Sequence, residues 1–342
     1  MTPLNILVID FGQLGDVVLS LPALAAIRNK FPRARITVAV GKPGAAVVEL
    51  SACANEVIVV DRVGLRDGPK LLSIARLITL TREVRSRRFD LVIDLHSLTE
   101  TNLLGYFSGA SSRLFARRPG RSLDFLASPH LRPPIEDRSK HAIDRYLDVL
   151  KPFDIHDTWR VPRLKSRPED DHAIEKILVK ENLLSGDTLL VGLNPGAGHE
   201  SRRWPLARFG ELAERLRRND NVRVLIFAGP EERALVHEMR SVFGKSAIIL
   251  DKLTIPQLAA AQARLAVFVS NDTGPMHIAA AVGTPVVLLL DNRAPDAYLP
   301  LGNSHRIVRR GTISDLTTAE VYEATRTILV AGRTAALFES RG

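Results

Sequence analysis

The sequence is short of cysteine, of aromatic residues and of long apolar runs, and each shortage excludes a class of protein. The single cysteine, Cys53, cannot form an internal disulfide and offers neither a zinc cluster nor a redox pair. No apolar run approaches the roughly 20 residues that a membrane-spanning helix needs. Residues Met1 to Asp10 lack the basic flank and cleavage site of a secretory signal. The sequence therefore predicts a cytoplasmic protein that does not span a membrane.

The charge balance predicts an acidic partner. Lysine and arginine number 47 against 38 acidic residues, a formal charge of +9. The arginines are concentrated in two stretches, which hold Arg85, Arg87 and Arg88, and then Arg113, Arg117, Arg118 and Arg121. Nucleic acid is not expected, because no nucleic-acid-binding motif is present and aromatic residues are too sparse for a stacking platform. A phosphorylated substrate or peripheral contact with an anionic inner-membrane surface fits better, and solvation of exposed helix faces is the alternative.

Short β-branched runs alternate with amphipathic stretches, which is the rhythm of a parallel α/β sheet. The predicted strands are Leu4 to Asp10, Arg35 to Val40, Glu56 to Asp61, Asp90 to Leu95, Thr188 to Leu193, Val222 to Ala228, Ala247 to Leu250, Leu265 to Ser270 and Pro285 to Leu290. The rhythm is interrupted between Asp157 and Asp171, where prolines and charges indicate a linker. The predicted fold is α/β, with two Rossmann-like, doubly wound domains. Ligands are then expected at the carboxyl ends of the strands, in a cleft across which the domains face each other.

The first informative loop, Asp10 to Asp16, follows the first predicted strand. It is not a dinucleotide fingerprint, because Gly12 and Gly15 frame a loop that ends in a carboxylate, which would repel phosphate. Asp16 at the end of a strand has two interpretations: it accepts a proton from a sugar hydroxyl, or it only caps a helix. Pro22 suits the first turn of a helix better than its interior, so the helix is expected to begin near it.

Two loops in the second half carry features of a phosphate site. In the loop from Asn194 to Pro205, small residues let backbone N–H groups approach a ligand, and Arg202 and Arg203 can neutralise a diphosphate. Trp204 is expected to pack in the core more than to stack on a base. The segment from Val269 to Pro285 places the N–H groups of Thr273 and Gly274 at a helix N-terminus, which favours phosphate.

Other polar residues near these loops have open interpretations. Asp272 is assigned to positioning, because an acid beside a phosphate is costly unless it holds the turn or contacts sugar hydroxyls. His277 suits a phosphate contact, and a structural histidine is equally compatible. In the loop from Phe227 to Arg233, Glu231 or Glu232 suits a ribose contact, with a helix-start acid as the alternative.

A polar loop in the first half, Asp94 to Glu100, is a candidate contact for an acceptor substrate. Within it His96 and Ser97 are the candidate residues, together with Gly15 beside the proposed proton acceptor. These polar side chains suit a helix cap equally well.

Three segments together resemble the lipopolysaccharide heptosyltransferase family, glycosyltransferase family 9. They are Gly15 to Leu24, Arg202 to Pro205, and Ser270 to His277. Each follows a predicted strand, and the resemblance covers nearly the whole chain in order. It implies a GT-B fold with an N-terminal acceptor domain over residues 1–165 and a C-terminal nucleotide-sugar domain over residues 166–318. It also implies a final helix within residues 319–342 that packs back on the first domain.

The resemblance implies roles for the site residues. Asp16 matches the proposed general base of an inverting transfer from an ADP-sugar donor, Asp272 to Gly274 the diphosphate site, and Glu232 a ribose contact. No Asp-x-Asp motif is present, so no metal and no cofactor beyond the donor substrate are expected. Arg202 stands where the family usually has lysine, and Asp291 to Asp296 replaces a Gly-Pro-Thr-Asp-Pro segment on the sugar side of the donor pocket.

The function these features imply is transfer of a heptose or related sugar to a lipopolysaccharide core or similar lipid-linked saccharide. Two alternatives remain at this point: a nucleotide-sugar epimerase of similar fold, and a non-catalytic saccharide-binding relative.

Overall fold

The computed structural model describes residues 3–62, 64, 70–155, 159–183 and 188–339. The chain divides into two compact units, Met1–Arg163 and Leu164–Gly342. The boundary predicted after residue 165 therefore lies two residues from the division in the structure.

The first unit is a five-stranded parallel sheet in the order β3-β2-β1-β4-β5. Its strands are β1 (Asn5–Asp10), β2 (Arg35–Gly41), β3 (Glu56–Val60), β4 (Leu91–Asp94) and β5 (Ser112–Phe115). Its helices are α1 (Leu14–Lys30), α2 (Lys42–Ser51), α3 (Lys70–Ser86), α4 (Thr99–Phe107) and α5 (Ala142–Val149). Ile6 of β1 lies between Ile36 of β2 and Leu91 of β4, so β1 is central and its side chains are buried on both faces.

Helix α1 begins earlier than was predicted from the position of Pro22. It starts at Leu14, and Pro22 lies inside it and is buried. A proline there removes one backbone hydrogen bond, and burial of the apolar residues around it, Val17 to Leu24, offsets that cost. Asp16 is therefore in the first turn of the helix.

The second unit is a six-stranded parallel sheet in the order β11-β10-β9-β6-β7-β8. Its strands are β6 (Leu189–Asn194), β7 (Val222–Phe227), β8 (Ile248–Leu250), β9 (Val267–Asn271), β10 (Val286–Asp291) and β11 (Arg306–Arg310). Its helices are α6 (Pro168–Lys180), α7 (Leu206–Asn219), α8 (Val236–Phe243), α9 (Ile255–Gln262), α10 (Gly274–Ala281) and α11 (Thr318–Glu339). The two doubly wound sheets confirm the predicted fold class.

The predicted linker is shorter than expected at its end. Pro168 begins α6, and Glu169, Asp170 and Asp171 form its first turn, where proline and acidic residues are favoured. The proline and acidic residues at the end of the predicted linker therefore belong to the start of a helix.

The final helix, α11, buries its apolar side in the second unit. Val321, Tyr322, Ile328 and Leu329 belong to the core that also contains Phe209 of α7. Contact of this helix with the first domain stays a prediction.

Both sheets reverse their strand order at one point, and that point locates the candidate sites. In the first unit β1 is flanked by β2 and β4, and in the second unit β6 is flanked by β7 and β9. The loops that leave adjacent strands in opposite directions open a crevice at their carboxyl ends, where doubly wound sheets bind ligands. The loops after β1, β4, β6 and β9 are those selected by the sequence motifs.

Candidate active site

The loop after β6 is fastened to the end of β9 by a buried asparagine. The Asn271 side-chain amide donates to the carbonyls of Pro195 and Gly196 at 3.0 and 3.1 Å, and its oxygen accepts from the Trp204 N–H at 3.0 Å. The Asn194 amide donates to the Thr273 hydroxyl at 3.1 Å. These bonds bring both predicted phosphate loops into one site of the second unit.

The start of helix α10 closes this site. Thr273 is the N-cap residue in extended conformation and Pro275 follows in the first turn. Pro275 has no N–H, and the Met276 N–H donates to the Thr273 carbonyl. The backbone N–H groups at this helix start that can meet an anion are therefore those of Thr273 and Gly274. His277 is buried in the first turn of α10, and its contact with phosphate stays a prediction.

Arg202 and Asp272 form a loose ion pair at the mouth of the site. The Arg202 Nη1 lies 3.7 Å from the Asp272 Oδ2, and the Arg202 side chain is 62% exposed. Burial raises the pKa of Asp272, and the Arg202 charge opposes that shift. A guanidinium held this loosely is free to turn to an anionic ligand.

The neighbouring residues have structural contacts. Arg203 donates from Nη2 to the Ala197 carbonyl at 3.3 Å, which supports the loop from within. Trp204 is buried and donates from Nε1 to the Leu316 carbonyl at 2.8 Å, so the expectation that it packs in the core is confirmed.

The structure separates the two candidate ribose contacts. Glu231 is exposed, whereas Glu232 is buried and its Oε2 accepts from the Gly229 N–H at 2.8 Å. The other oxygen lies against Gly196, where a side-chain carbon would collide with it. Glu232 is therefore the acid that borders the phosphate loops.

A pocket extends from this site toward β10. Asp272, Asp291 and Arg293 line it with Ser201, Arg202, Leu289, Leu290, Ala294 and Ile313. The Arg293 Nη2 lies 2.6 Å from the Asp291 Oδ2, so the segment that departs from the family pattern forms its own ion pair at the pocket wall.

In the first unit, two aspartates converge on Gly12. Asp10 at the end of β1 is completely buried, and its Oδ1 accepts from the Gly12 N–H at 2.9 Å. Asp16 is half-buried, and its Oδ2 accepts from the Gln13 N–H at 3.0 Å. Asp16 thus closes the start of α1, and its carboxylate is also available at the edge of the site.

The environment of Asp16 makes it a better proton acceptor than an ordinary aspartate. Burial raises its pKa, and the nearby charge of Asp10 adds to the shift. The Gln13 N–H, His96 and Arg118 act in the opposite direction. A base whose pKa lies closer to the working pH takes a hydroxyl proton more readily.

His96 lies beside these carboxylates. Its Nδ1 is 3.9 Å from the Asp10 Oδ1, and its Nε2 is buried without a hydrogen-bond partner among the described residues. Burial, with the positive charges of Arg118 and Arg62, lowers the pKa of His96 to about 4. His96 is therefore neutral at pH 7 and its ring can bind a hydroxyl group.

Ser97 lies in the loop after β4, as predicted, and its side chain is enclosed there. It is completely buried in a left-handed conformation, with φ of 42°. Its hydroxyl donates to the Asp94 carbonyl and accepts from the Ala116 N–H, both at 2.7 Å. These two bonds engage the hydroxyl in joining β4 to β5. Contact of Ser97 with an acceptor stays a prediction.

Several residues of this site were not selected from the sequence. Arg118 donates to the His96 carbonyl, and Arg62 donates from Nη1 to the Gly12 carbonyl at 3.0 Å. Asp10 was seen only as the start of a loop. Gly15 is half-buried beside Asp16, and its contact with an acceptor stays a prediction.

Two Rossmann-type, doubly wound units in one chain are the architecture of the GT-B class of glycosyltransferases. The family model described as glycosyltransferase family 9 (heptosyltransferase) matches residues 77–324, and the chain belongs to that family. Over 330 residues it is 25% identical to lipopolysaccharide heptosyltransferase 2 of Escherichia coli (strain K12), covering 90% of this chain and 88% of that protein.

Solved structures share the fold along the whole chain. The glycosyl transferase family 9 protein of Veillonella parvula DSM 2008 aligns with a TM-score of 0.84 and 25% identity, covering 97% of this chain and 99% of that one. The E. coli heptosyltransferase WaaC with ADP-2-deoxy-2-fluoro heptose aligns with a TM-score of 0.75 and 20% identity, covering 94% of this chain and 98% of that one.

No helix among the described residues is long and apolar enough to cross a membrane.

Proposed function

We propose that this glycosyltransferase moves a heptose or a related sugar from an ADP-sugar to a lipopolysaccharide core or similar lipid-linked saccharide. The observation that carries the proposal is the half-buried Asp16 carboxylate at the switch point of one unit, with the start of helix α10 joined to the loop after β6 at the switch point of the other. Membership of family 9 and the heptosyltransferase names of the relatives support the donor and acceptor classes.

The proposed reaction is a single displacement with inversion. Asp16 takes the proton of an acceptor hydroxyl while that oxygen bonds to the anomeric carbon, and the bond from this carbon to the diphosphate oxygen breaks. The negative charge that develops on the departing ADP is met by Arg202 and by the N–H groups of Thr273 and Gly274. These groups supply the charge stabilisation that a metal ion supplies in other transferases, so we propose a metal-independent reaction.

The other residues around the site are given roles in this proposal according to where they lie. Glu232 borders the loops on the β7 side and is proposed to bind ribose hydroxyls, and Asp272 is proposed to orient sugar hydroxyls rather than to transfer protons. Arg203 and His277 complete the phosphate surroundings in this proposal. His96 and Gly15 are proposed to contact the acceptor.

Release of nucleotide tests this function against its alternatives. A panel of ADP- and UDP-sugars is incubated with and without a truncated lipid saccharide, with EDTA in a parallel series. Acceptor-dependent ADP release from ADP-heptose, unchanged by EDTA, is expected. Conversion of the donor alone would indicate an epimerase, which the family match does not favour, and binding without release would indicate a non-catalytic relative.

We also propose peripheral contact with an anionic membrane surface, made by helix α3. Leu72, Ile74, Leu77 and Ile78 of this helix are 44% to 55% exposed. The same helix carries Arg76, Arg82 and Arg85. Exposed apolar side chains next to several cations on one helix are typical of an interfacial helix.

Vesicle flotation tests this contact. The wild type is expected to float with phosphatidylglycerol vesicles and not with phosphatidylcholine vesicles, and the double substitution Ile74→Ser with Ile78→Ser is expected to lose binding. Val179→Ser is the matched control, because Val179 of α6 is 61% exposed in the second unit. Equal flotation of the double variant and the wild type would contradict the contact.

A further inference from the structure

The first unit contains a second carboxylate that the proposed reaction does not use. Asp10 is completely buried at the end of β1. Its Oδ1 accepts from the Gly12 N–H, whereas its Oδ2 has no hydrogen-bond partner among the described residues. The Ser20 hydroxyl of α1 donates to the Val17 carbonyl at 3.0 Å and also lowers the pKa of Asp10. A buried carboxylate with one unbonded oxygen is costly for the fold and calls for an explanation.

Gly12 lies between this carboxylate and Asp16. A side-chain carbon added to Gly12 would lie 2.9 Å from the Asp10 Oδ1 and 2.5 Å from the Asp16 Cβ. The two aspartates therefore border the same small space, which only a residue without a side chain leaves open. Like charges this close in a desolvated site disfavour the ionisation of both groups.

The other charged groups around the pair come from three further elements. Arg62 follows β3, His96 follows β4 and Arg118 follows β5, and all three reach the loop or the carboxylates. Arg118 also pairs with the half-buried Glu136, since its Nε lies 3.1 Å from the Glu136 Oε1. The charge of Glu100 on α4 raises the pKa of His96 in opposition to the arginines. Burial raises the pKa of Asp10, and the charges of Arg118 and Arg62 oppose that shift. His96 is neutral at pH 7.

We propose that Asp10 is a positioning residue for the transfer reaction, acting through Asp16: its buried negative charge makes Asp16 hold a transferred proton more strongly. This inference rests on the proposed role of Asp16 as the base. The charge of Asp10 disfavours a second negative charge beside it and favours the step in which Asp16 becomes neutral. Asp10 itself does not touch the acceptor, because none of its surface is exposed.

The first test is the pH dependence of turnover in variants that remove this charge. Asp10→Asn and the smaller Asp10→Ser both leave an oxygen to accept the Gly12 N–H. In each, the acid limb of the kcat profile is expected to move to lower pH, with KM for the donor unchanged. Thr37→Val is the control, because Thr37 is a buried polar residue on β2 whose loss should leave the profile unshifted. An unshifted profile in folded Asp10 variants would overturn the proposal.

The second test needs no activity. Protein labelled with carbon-13 at aspartate carboxyl groups is titrated by NMR, as wild type and as Asp16→Asn. If the carboxylates are coupled, the buried Asp10 signal titrates at lower pH in Asp16→Asn than in the wild type. An identical Asp10 titration would overturn the inference even if the Asp10 variants fail to fold. Observed coupling in a protein without transferase activity would instead locate the failure in the proposed function.

Discussion

Asn271 accepts a hydrogen bond from the backbone N–H of Trp204 at 3.0 Å, across 67 residues of sequence. The same side chain donates to two carbonyls of the loop after β6. Every polar atom of this buried amide group is thus used to join the loop that carries Arg202 to the strand that precedes Thr273. These hydrogen bonds join the two loops of the proposed donor site.

Asn271→Ala is expected to destabilise the protein by about 2 to 4 kcal/mol, because three buried backbone groups lose their partner. The measurement is urea unfolding. Asn303→Ala removes an exposed asparagine of the same unit and should change the free energy of unfolding by less than about 0.5 kcal/mol. Equal stability of Asn271→Ala and the wild type would show that the amide is not a structural link.

Arg202 is expected to act in the transition state, since its ion pair with Asp272 is loose. Arg202→Ala should lower kcat by about 10²-fold, and Arg202→Lys should recover much of that loss, because a cation at this position is the shared requirement. Steady-state kinetics with the ADP-sugar measure both. If lysine were no better than alanine, bidentate geometry rather than charge would be the requirement.

Gly196 and Gly198 give a matched pair in one loop. A side-chain carbon at Gly196 would collide with the Glu232 carboxylate, whereas nothing lies within 4 Å of one at Gly198. Gly196→Ala should displace Glu232 and weaken ADP binding by about tenfold, the equivalent of one hydrogen bond with a charged group. Gly198→Ala should bind ADP as the wild type does. Calorimetry measures both, and equal affinities would exclude Glu232 as a nucleotide contact.

His96 and Asp94 are expected to oppose each other in the pH dependence of stability. The pKa of His96 is lowered to about 4 from its ordinary 6.5. Its contribution to the free energy of unfolding is therefore present above pH 6.5 and is lost as pH falls toward 4. Burial raises the pKa of Asp94 to about 7 from 3.8, so its contribution is present below pH 3.8 and is lost as pH rises toward 7.

Replacing His96 should therefore expose the effect of Asp94. When the pH is lowered from 7 to 5, the free energy of unfolding of His96→Gln is expected to increase relative to that of the wild type. Urea unfolding at both pH values measures it, with His172→Gln of the exposed first half of α6 as the control. The same change in His96→Gln and wild type would show that His96 titrates normally.

The sequence was most informative where strands are buried on both faces. All nine predicted strands are present within two residues at each end, because fully apolar runs between polar turns have few other structures open to them. The two strands that were missed, β5 and β11, lie at sheet edges and carry arginines, so their sequences lack the buried pattern. Edge strands are stabilised by a partner that the local sequence does not show.

The sequence identified the loops that form the candidate site, but only some of the residues within it. The loops after β1, β6 and β9 were identified because glycines, arginines and a helix start follow a strand in each. Arg62 and Arg118 were not assigned to the site, because only the sheet order brings the ends of β3 and β5 near β1. The hydrogen bonds of Ser97 were not predicted, because a polar residue in a loop gives no sign that its hydroxyl is buried between two strands.

The most direct test of the account is Asp16→Asn, measured for turnover and for ADP affinity in the same preparation. The amide keeps the size of the side chain and removes the proton acceptor of the first unit, while the anion cradle of the second unit is untouched. Turnover is expected to fall by about 10² to 10⁴-fold with ADP affinity nearly unchanged. Turnover at the wild-type rate would contradict the assignment of the base, and with it the proposed reaction.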